Sequence, residues 1–241
     1  MDFLPLLSEH DWPAAINFHE LASTEEEKLI RGAYIVNKHR IRPNARTRFL
    51  DYGCGEGYVA KYLSKNKLAV NIGYDPQVKA TQTDRYLLTA DLAQVKAQAP
   101  YDVIMAYDVL DHSPNPRRTL QEIASLANRK TQIYVTTHPW CSRHAGHDYQ
   151  QHNKAFSHLF LPLPPEQVSW PKVYYPLNNY AELFADLFNV QKVSKERQRL
   201  EKFFTDTQHI VGHLEELYSD KLVNIRRKLE ICFLHYQLQL K

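Results

Sequence analysis

Two carboxylates and an imidazole fall close together in Asp108-Val109-Leu110-Asp111-His112, directly after the apolar run Val103-Ile104-Met105-Ala106-Tyr107. A cluster of this kind at a strand tip can take a proton from a hydroxyl or gather around one divalent cation. A run of histidines, His138, His144, His147 and His152, follows a later apolar stretch that ends at Thr136. Upstream, Phe49-Leu50-Asp51-Tyr52-Gly53-Cys54-Gly55-Glu56-Gly57-Tyr58 breaks from an apolar run into alternating glycines and then turns helical. Glycine tolerates φ > 0 and puts no Cβ between backbone and ligand, so a flat, charged small molecule can lie directly on such a loop.

The carboxylates around the glycines narrow the choice of ligand. A dinucleotide loop spaces its glycines as GxGxxG and receives a pyrophosphate at a helix N-terminus. Here Asp51 and Glu56 flank the glycines, which would repel a pyrophosphate and suit a cation. The next apolar run, Leu68-Ala69-Val70-Asn71-Ile72-Gly73-Tyr74, ends in Asp75, where a carboxylate at an adjacent strand tip can accept both hydroxyls of a ribose. A nucleoside with a positive charge satisfies both positions. Cys54 has no base near it in sequence and is not read as a nucleophile.

Phe49 to Gly57 followed by Gly73-Tyr74-Asp75-Pro76 resembles the first two motifs of the class I S-adenosylmethionine-dependent methyltransferases. Thr89-Ala90-Asp91-Leu92 is similar to the family's acid after the third strand, and Tyr101 to His112 to its fourth-strand motif. The resemblance covers roughly residues 45 to 140 and implies S-adenosylmethionine as cofactor. It places Gly53, Gly55 and Gly57 under the amino-acid part of the cofactor and Asp51 near its ammonium group. Asp75 takes the ribose hydroxyls, Asp91 and Leu92 flank the adenine, and Cys54, Tyr58, Pro76 and Tyr107 complete the site. Asp108, Asp111, His112 and His138 face the methyl acceptor.

Asp108 to His112 also resembles the Glu-x-x-Glu-His motif of two methyltransferase groups. These are the ubiquinone-pathway O-methyltransferases and the enzymes that methylate the 3′-terminal ribose of small RNAs. That likeness implies a divalent metal held by Asp108, Asp111 and His112, with His144 and His147 in the region of the RNA group's further histidines. Both glutamates are aspartates here, one methylene shorter, and metal sites tolerate distance errors of only ~0.2 Å. A metal, a histidine acting as general base and a purely structural role therefore all stay open. The Lys-Asp-Lys-Glu order of ribose 2′-O-methyltransferases is matched by Lys38, Asp108, Lys154 and Glu182, and Tyr107 with Trp140 could floor an aromatic small-molecule pocket.

Strands and helices must alternate to position these groups. Ser23-Thr24-Glu25-Glu26-Glu27 opens a helix over about 24–39 with Ile30, Ala33, Tyr34 and Val36 on one face. Strands follow at Phe49–Tyr52, Leu68–Tyr74, Tyr86–Leu88, Tyr101–Ala106 and Thr131–Thr136, with Pro116 opening a helix between the last two. Asn178 caps another helix, Asn189–Val193 is a sixth strand, Asp206–Tyr218 a further helix and Leu229–Leu238 the last strand. Strands alternating with helices predict an α/β fold with a parallel sheet covered on both faces, and the resemblance implies the family's seven-stranded, mostly parallel, Rossmann-like sheet with an antiparallel last strand. One domain over 1–241 is expected, with an N-terminal arm and helix (1–45), a cofactor core (46–137), a His/Pro-rich substrate-side loop (138–177) and a C-terminal part carrying an insertion at about 195–228.

Charge and composition permit several partners. A net charge of +3 allows nucleic-acid binding without requiring it, and Lys38, His39, Arg40, Arg42, Arg46 and Arg48 read either as a solvated face or as a phosphate-contacting patch. RNA, capped or as a terminal ribose, is thus the alternative acceptor, and a non-catalytic cofactor-binding subunit the alternative of another class. The three cysteines are far apart and odd in number, which points to a reducing compartment. No apolar run approaches the ~20 residues of a membrane span, and Met-Asp-Phe-Leu-Pro lacks a secretory signal's pattern, so a cytoplasmic location is expected.

Overall fold

The computed structural model describes residues 24–139, 142, 179–197, 212, 227 and 229–241. Two compact units divide the chain: one is His19–Thr137 with Ala181–Val193 and His235–Lys241, the other Met1–Phe18 with His138–Tyr180 and Ser194–Leu234.

The central strands of the sheet, all in the first unit, read as nearly continuous apolar runs. In chain order the strands are β1 (Arg48–Tyr52), β2 (Val70–Tyr74), β3 (Thr81–Gln82), β4 (Leu87–Thr89), β5 (Val103–Tyr107), β6 (Gln132–Thr137), β7 (Phe188–Arg197) and β8 (Ile231–Leu240). They form one sheet in the order β3-β4-β2-β1-β5-β6-β8-β7. Phe49, Leu50, Ile104, Met105, Ile133 and Val135 are fully buried, the pattern of parallel strands covered on both faces. The pairs β1–β2, β1–β5, β2–β4 and β5–β6 are parallel, with Leu50 opposite both Ile72 and Ile104.

β8 runs against its neighbours. Gln239 donates to the Arg129 carbonyl (2.8 Å) just before β6, and His235 meets Thr136 near its end (2.9 Å). On the other side, the Lys241 amide donates to the Leu187 carbonyl beside the start of β7 (3.1 Å). The expected antiparallel last strand is present.

The sheet has eight strands and not seven. The added one, β3, pairs antiparallel with β4, setting Thr81 opposite Leu88 and Gln82 opposite Leu87. Two polar residues carry no periodicity to read; the hairpin is held by its turn, where Thr83 Oγ1 accepts from the Arg85 and Tyr86 amides. β7 extends to Arg197, past the expected end at Val193, because its exposed residues give no apolar boundary.

Helices α1 (Glu25–Lys38), α2 (Tyr58–Leu63), α3 (Leu92–Ala97), α4 (Pro116–Ser125) and α5 (Asn179–Ala185), with a 3-10 turn at Ser64–Asn66, accompany the strands. α1 starts at a reciprocal capping box: Thr24 Oγ1 accepts from the Glu27 amide, and Glu27 accepts from the Thr24 amide. Asn115 caps α4, Pro116 occupies its first turn, and Leu120 and Ile123 are buried. No helix among the described residues is long and apolar enough to cross a membrane. The N-terminal arm, most of 138–177 and the helix expected at 206–218 lie outside the described residues.

In the second unit, the Cys232 carbonyl accepts from His138 Nδ1 (2.9 Å) and Ser142 Oγ (3.1 Å), and the His138 ring packs on Phe233. A carbonyl cannot donate, so the imidazole proton sits on Nδ1 and, in the neutral ring, Nε2 is the acceptor nitrogen.

Candidate active site

The glycine loop leaves β1 with Gly53, Gly55 and Gly57 all left-handed, at φ 74, 52 and 78. The Tyr74 carbonyl at the end of β2 accepts from both the Gly53 amide (2.7 Å) and the Cys54 amide (2.9 Å), and Gly57 donates to the Cys54 carbonyl (2.9 Å). The three glycines do different work. A Cβ on Gly53 would sit 2.4 Å from Val109 Cγ2 and one on Gly57 2.6 Å from Leu88, whereas one on Gly55 meets nothing within 4 Å. Gly53 and Gly57 permit close packing, and Gly55 presents open backbone. Cys54 is buried against Gly73, and burial, aided by Asp51 and Asp75, pushes its thiol well up, so it is a packing residue and not a thiolate.

Acidic groups border this open backbone. Asp51 is 4% exposed, and burial first, then the neighbouring Asp75, push its carboxyl up to about 7. Among the described residues no hydrogen bond holds that carboxylate. Asp75, at the tip of β2, accepts from the Gly55 amide at Oδ2 (3.1 Å) and from the Gln77 amide at Oδ1 (2.9 Å). Asp91 caps α3 by accepting from the Ala93 amide (2.8 Å), with Leu92 half-buried as the first helical residue. Tyr58 opens α2 and is buried, Pro76 is exposed beyond Asp75, and Tyr107 ends β5 half-buried. Burial and Asp75 both disfavour the ionised form of Asp51, so a cation placed beside it would favour ionisation.

The cluster after β5 adjoins the same loop through Val109, whose methyls fill the space over Gly53. Asp108 has a left-handed backbone, φ 62, and its amide donates to the Thr136 carbonyl (2.8 Å). A non-glycine residue held there marks a position fixed by its surroundings, and such positions gather at functional sites. The chain then turns, with His112 and Ser113 amides donating to the Val109 and Leu110 carbonyls. His112 Nε2 comes to 3.9 Å from Asp108 Oδ1, and Thr137 Oγ1 donates to Asp111 Oδ1 (3.2 Å).

Residues 26–187 match the family model described as a methyltransferase domain. The chain belongs to the methyltransferase domain family. Over an alignment of 105 positions that covers 39% of the chain, it is 27% identical to the ubiquinone biosynthesis O-methyltransferase of Azoarcus sp. (strain BH72). The chain spans 45% of the length of that curated relative. Among solved structures, an S-adenosylmethionine-dependent methyltransferase from Mesorhizobium loti superposes with TM-score 0.53 at 11% identity, covering 86% of this chain and 97% of the other. Magnesium protoporphyrin IX methyltransferase from Synechocystis PCC 6803, solved with bound SAH, gives 0.50 at 15% identity, covering 94% and 88%. The fold is that of the class I S-adenosylmethionine-dependent methyltransferases.

The expected residues that are described fall on the glycine loop, the strand tips and the segment after β6. Asp51, Gly53, Cys54, Gly55, Gly57, Tyr58 and Asp75 lie along one loop and its two strands, and Asp108, Asp111 and His112 join them through Val109. His138 follows β6 and belongs to the other unit. His144, His147, Trp140 and Lys154 lie outside the described residues, and Glu182 is exposed on α5. The basic run is partly used internally. Arg48 opens β1 at the end opposite the glycine loop and donates to the carbonyls of Pro100 and Gln98.

His39 is not part of a solvated face. Its Nε2 lies 2.8 Å from Thr136 Oγ1, whose other neighbour is His235 Nδ1 at 2.9 Å. Burial, then His235 and Lys38, lower the His39 pKa to about 3, so the ring is neutral. This linkage of α1, β6 and β8 was missed because His39 reads as one more cation in a basic run. The buried run around His235 was the sole local hint of it.

Proposed function

We propose that this chain binds S-adenosylmethionine on the glycine loop and directs its methyl group to a hydroxyl oxygen of an acceptor. The carrying observation is Asp51, a buried carboxylate near the end of β1 whose acidic neighbour, Asp75, holds the Gly55 amide. An ammonium group placed there removes the electrostatic penalty of ionising it. Asp75, whose Oδ2 accepts from the Gly55 amide, takes the ribose hydroxyls in this reading, and Asp91 with Leu92 flanks the adenine. Cys54, Tyr58, Pro76 and Tyr107 complete this cofactor set.

When bound, the cofactor supplies an electrophilic methyl group. The chain's own work is to align the acceptor oxygen and accept its proton. His112, whose Nε2 lies 3.9 Å from Asp108 Oδ1, is the base in this reading. Asp111, held by Thr137, orients the acceptor hydroxyl. His138 offers Nε2 as a second acceptor nitrogen. The relative named as an O-methyltransferase supports oxygen as the nucleophile.

Calorimetry with S-adenosylmethionine, its demethylated product and NAD tests the cofactor reading: the first two bind and NAD does not. Uptake of NAD alone overturns it. A radiolabelled-methyl screen over phenolic compounds, capped RNA and small RNA, with and without chelator, then reads the acceptor. Asp108→Ala keeps cofactor affinity and loses transfer; loss on chelation would assign Asp108, Asp111 and His112 to a divalent cation.

A further inference from the structure

Helix α1 lies against the cofactor loop through a contact that the methyl-transfer chemistry does not require. Lys28, on its first turn, sends Nζ to Glu56 Oε2 at 2.7 Å and to Glu25 Oε1 at 3.2 Å, and Glu25 Oε2 also meets Lys61 of α2 at 3.5 Å. The Lys28 side chain is 17% exposed against 61% for Glu56 and 69% for Glu25, so its stem is covered while the charged groups meet at the surface. The helix is brought this close by Gly32, where a Cβ would stand 2.4 Å from the Tyr58 carbonyl oxygen. Arg31 lies over the Tyr58 ring at 5.7 Å.

Glu56 sits between Gly55 and Gly57 on the loop. Gly53 and Cys54 are tied to Tyr74 and Gly57 to Cys54, all backbone to backbone. The Gly55 amide is tied to the Asp75 carboxylate, which a ribose would draw upon. The Lys28 ion pair is a side-chain tie on this stretch, beside the Gly57–Cys54 backbone bond, that a bound nucleoside leaves in place. Because left-handed glycines lose much conformational entropy on ordering, a tether at Glu56 lowers the ordering that ligand binding must supply.

Resting on the cofactor reading above, we propose that Lys28 is a positioning residue for the cofactor site: it anchors Glu56 to α1, preorganising the Gly55–Gly57 backbone and holding the Glu56 charge outside the pocket.

The test is a double-mutant cycle on the full chain with Lys28→Met and Glu56→Gln, titrating S-adenosylmethionine and S-adenosylhomocysteine separately. Each single variant weakens both ligands by about fourfold, the scale of a partly exposed ion pair. The double variant is no weaker than either single one, Lys28→Arg restores most of the affinity, and the wild-type advantage shrinks with salt. Glu56 is exposed on a loop, so Glu56→Gln carries the test even where Lys28→Met fails to fold. Unchanged affinities, additive losses, or a change confined to the cationic ligand overturn the proposal. Wild-type protein that binds neither ligand removes the cofactor reading and this proposal together.

Discussion

At the scale of single residues, Asp51 sets stability against binding. In the unfolded chain its carboxyl titrates near 3.8 and in the folded, ligand-free protein near 7, so the folded state holds the proton more tightly. Stability therefore falls as pH rises between these values, and above 7 the ionised group costs roughly 4 kcal/mol at about 1.4 per unit. Asp51→Asn removes that cost without breaking a hydrogen bond recorded among the described residues. The ligand-free variant should melt a few degrees higher than wild type at pH 8 while binding S-adenosylmethionine at least tenfold more weakly. Thermal melts and calorimetry check both halves; a lower melting point would show that the carboxylate is satisfied inside the protein. Wild-type affinity should also fall as pH drops below 7, since the ligand's ammonium then has to displace a proton.

Among elements, the glycine loop divides stability from binding along its own length. Gly53→Ala and Gly57→Ala each drive a methyl into Val109 or Leu88 at a left-handed position and should cost roughly 2–3 kcal/mol in denaturant unfolding. Gly55→Ala has room, so it should cost only about 1 kcal/mol from backbone strain yet lower cofactor affinity more than either neighbour. A Gly55→Ala protein with unimpaired affinity would mean that no ligand lies on that backbone. The loop was legible in the sequence because glycines and acids are themselves the signal, and the β-α order because buried parallel strands read as apolar runs. What escaped were contacts whose partners are remote. Thr136 stands 97 positions from His39, and Val109 touches Gly53 only once β5 lies beside β1. β3 escaped for a different reason, since two polar residues in a hairpin carry no period.

For the molecule as a whole, buried titrating groups act on one folding equilibrium, and two of them oppose each other over nearly the same pH range. His39 is a base lowered from 6.5 to about 3, so below 6.5 the unfolded chain takes up a proton that the folded state refuses, and stability falls as pH falls. Asp51 is an acid raised from 3.8 to about 7, so over much of that interval its contribution rises as pH falls. Each has a limiting slope of about 1.4 kcal/mol per pH unit, with opposite signs, and their contributions nearly cancel between about 4 and 6.5. The ligand-free protein should therefore show a shallow dependence of unfolding free energy on pH there. Asp51→Asn should uncover the His39 slope and make the protein acid-labile below 6.5, even though it is more stable at pH 8. Saturating S-adenosylmethionine should have the same effect on wild type, because an ion-paired Asp51 no longer takes up the proton that offset His39. Urea unfolding at half-unit pH steps, with and without ligand, measures both slopes. An Asp51→Asn profile as shallow as wild type would show that these two groups do not govern acid stability.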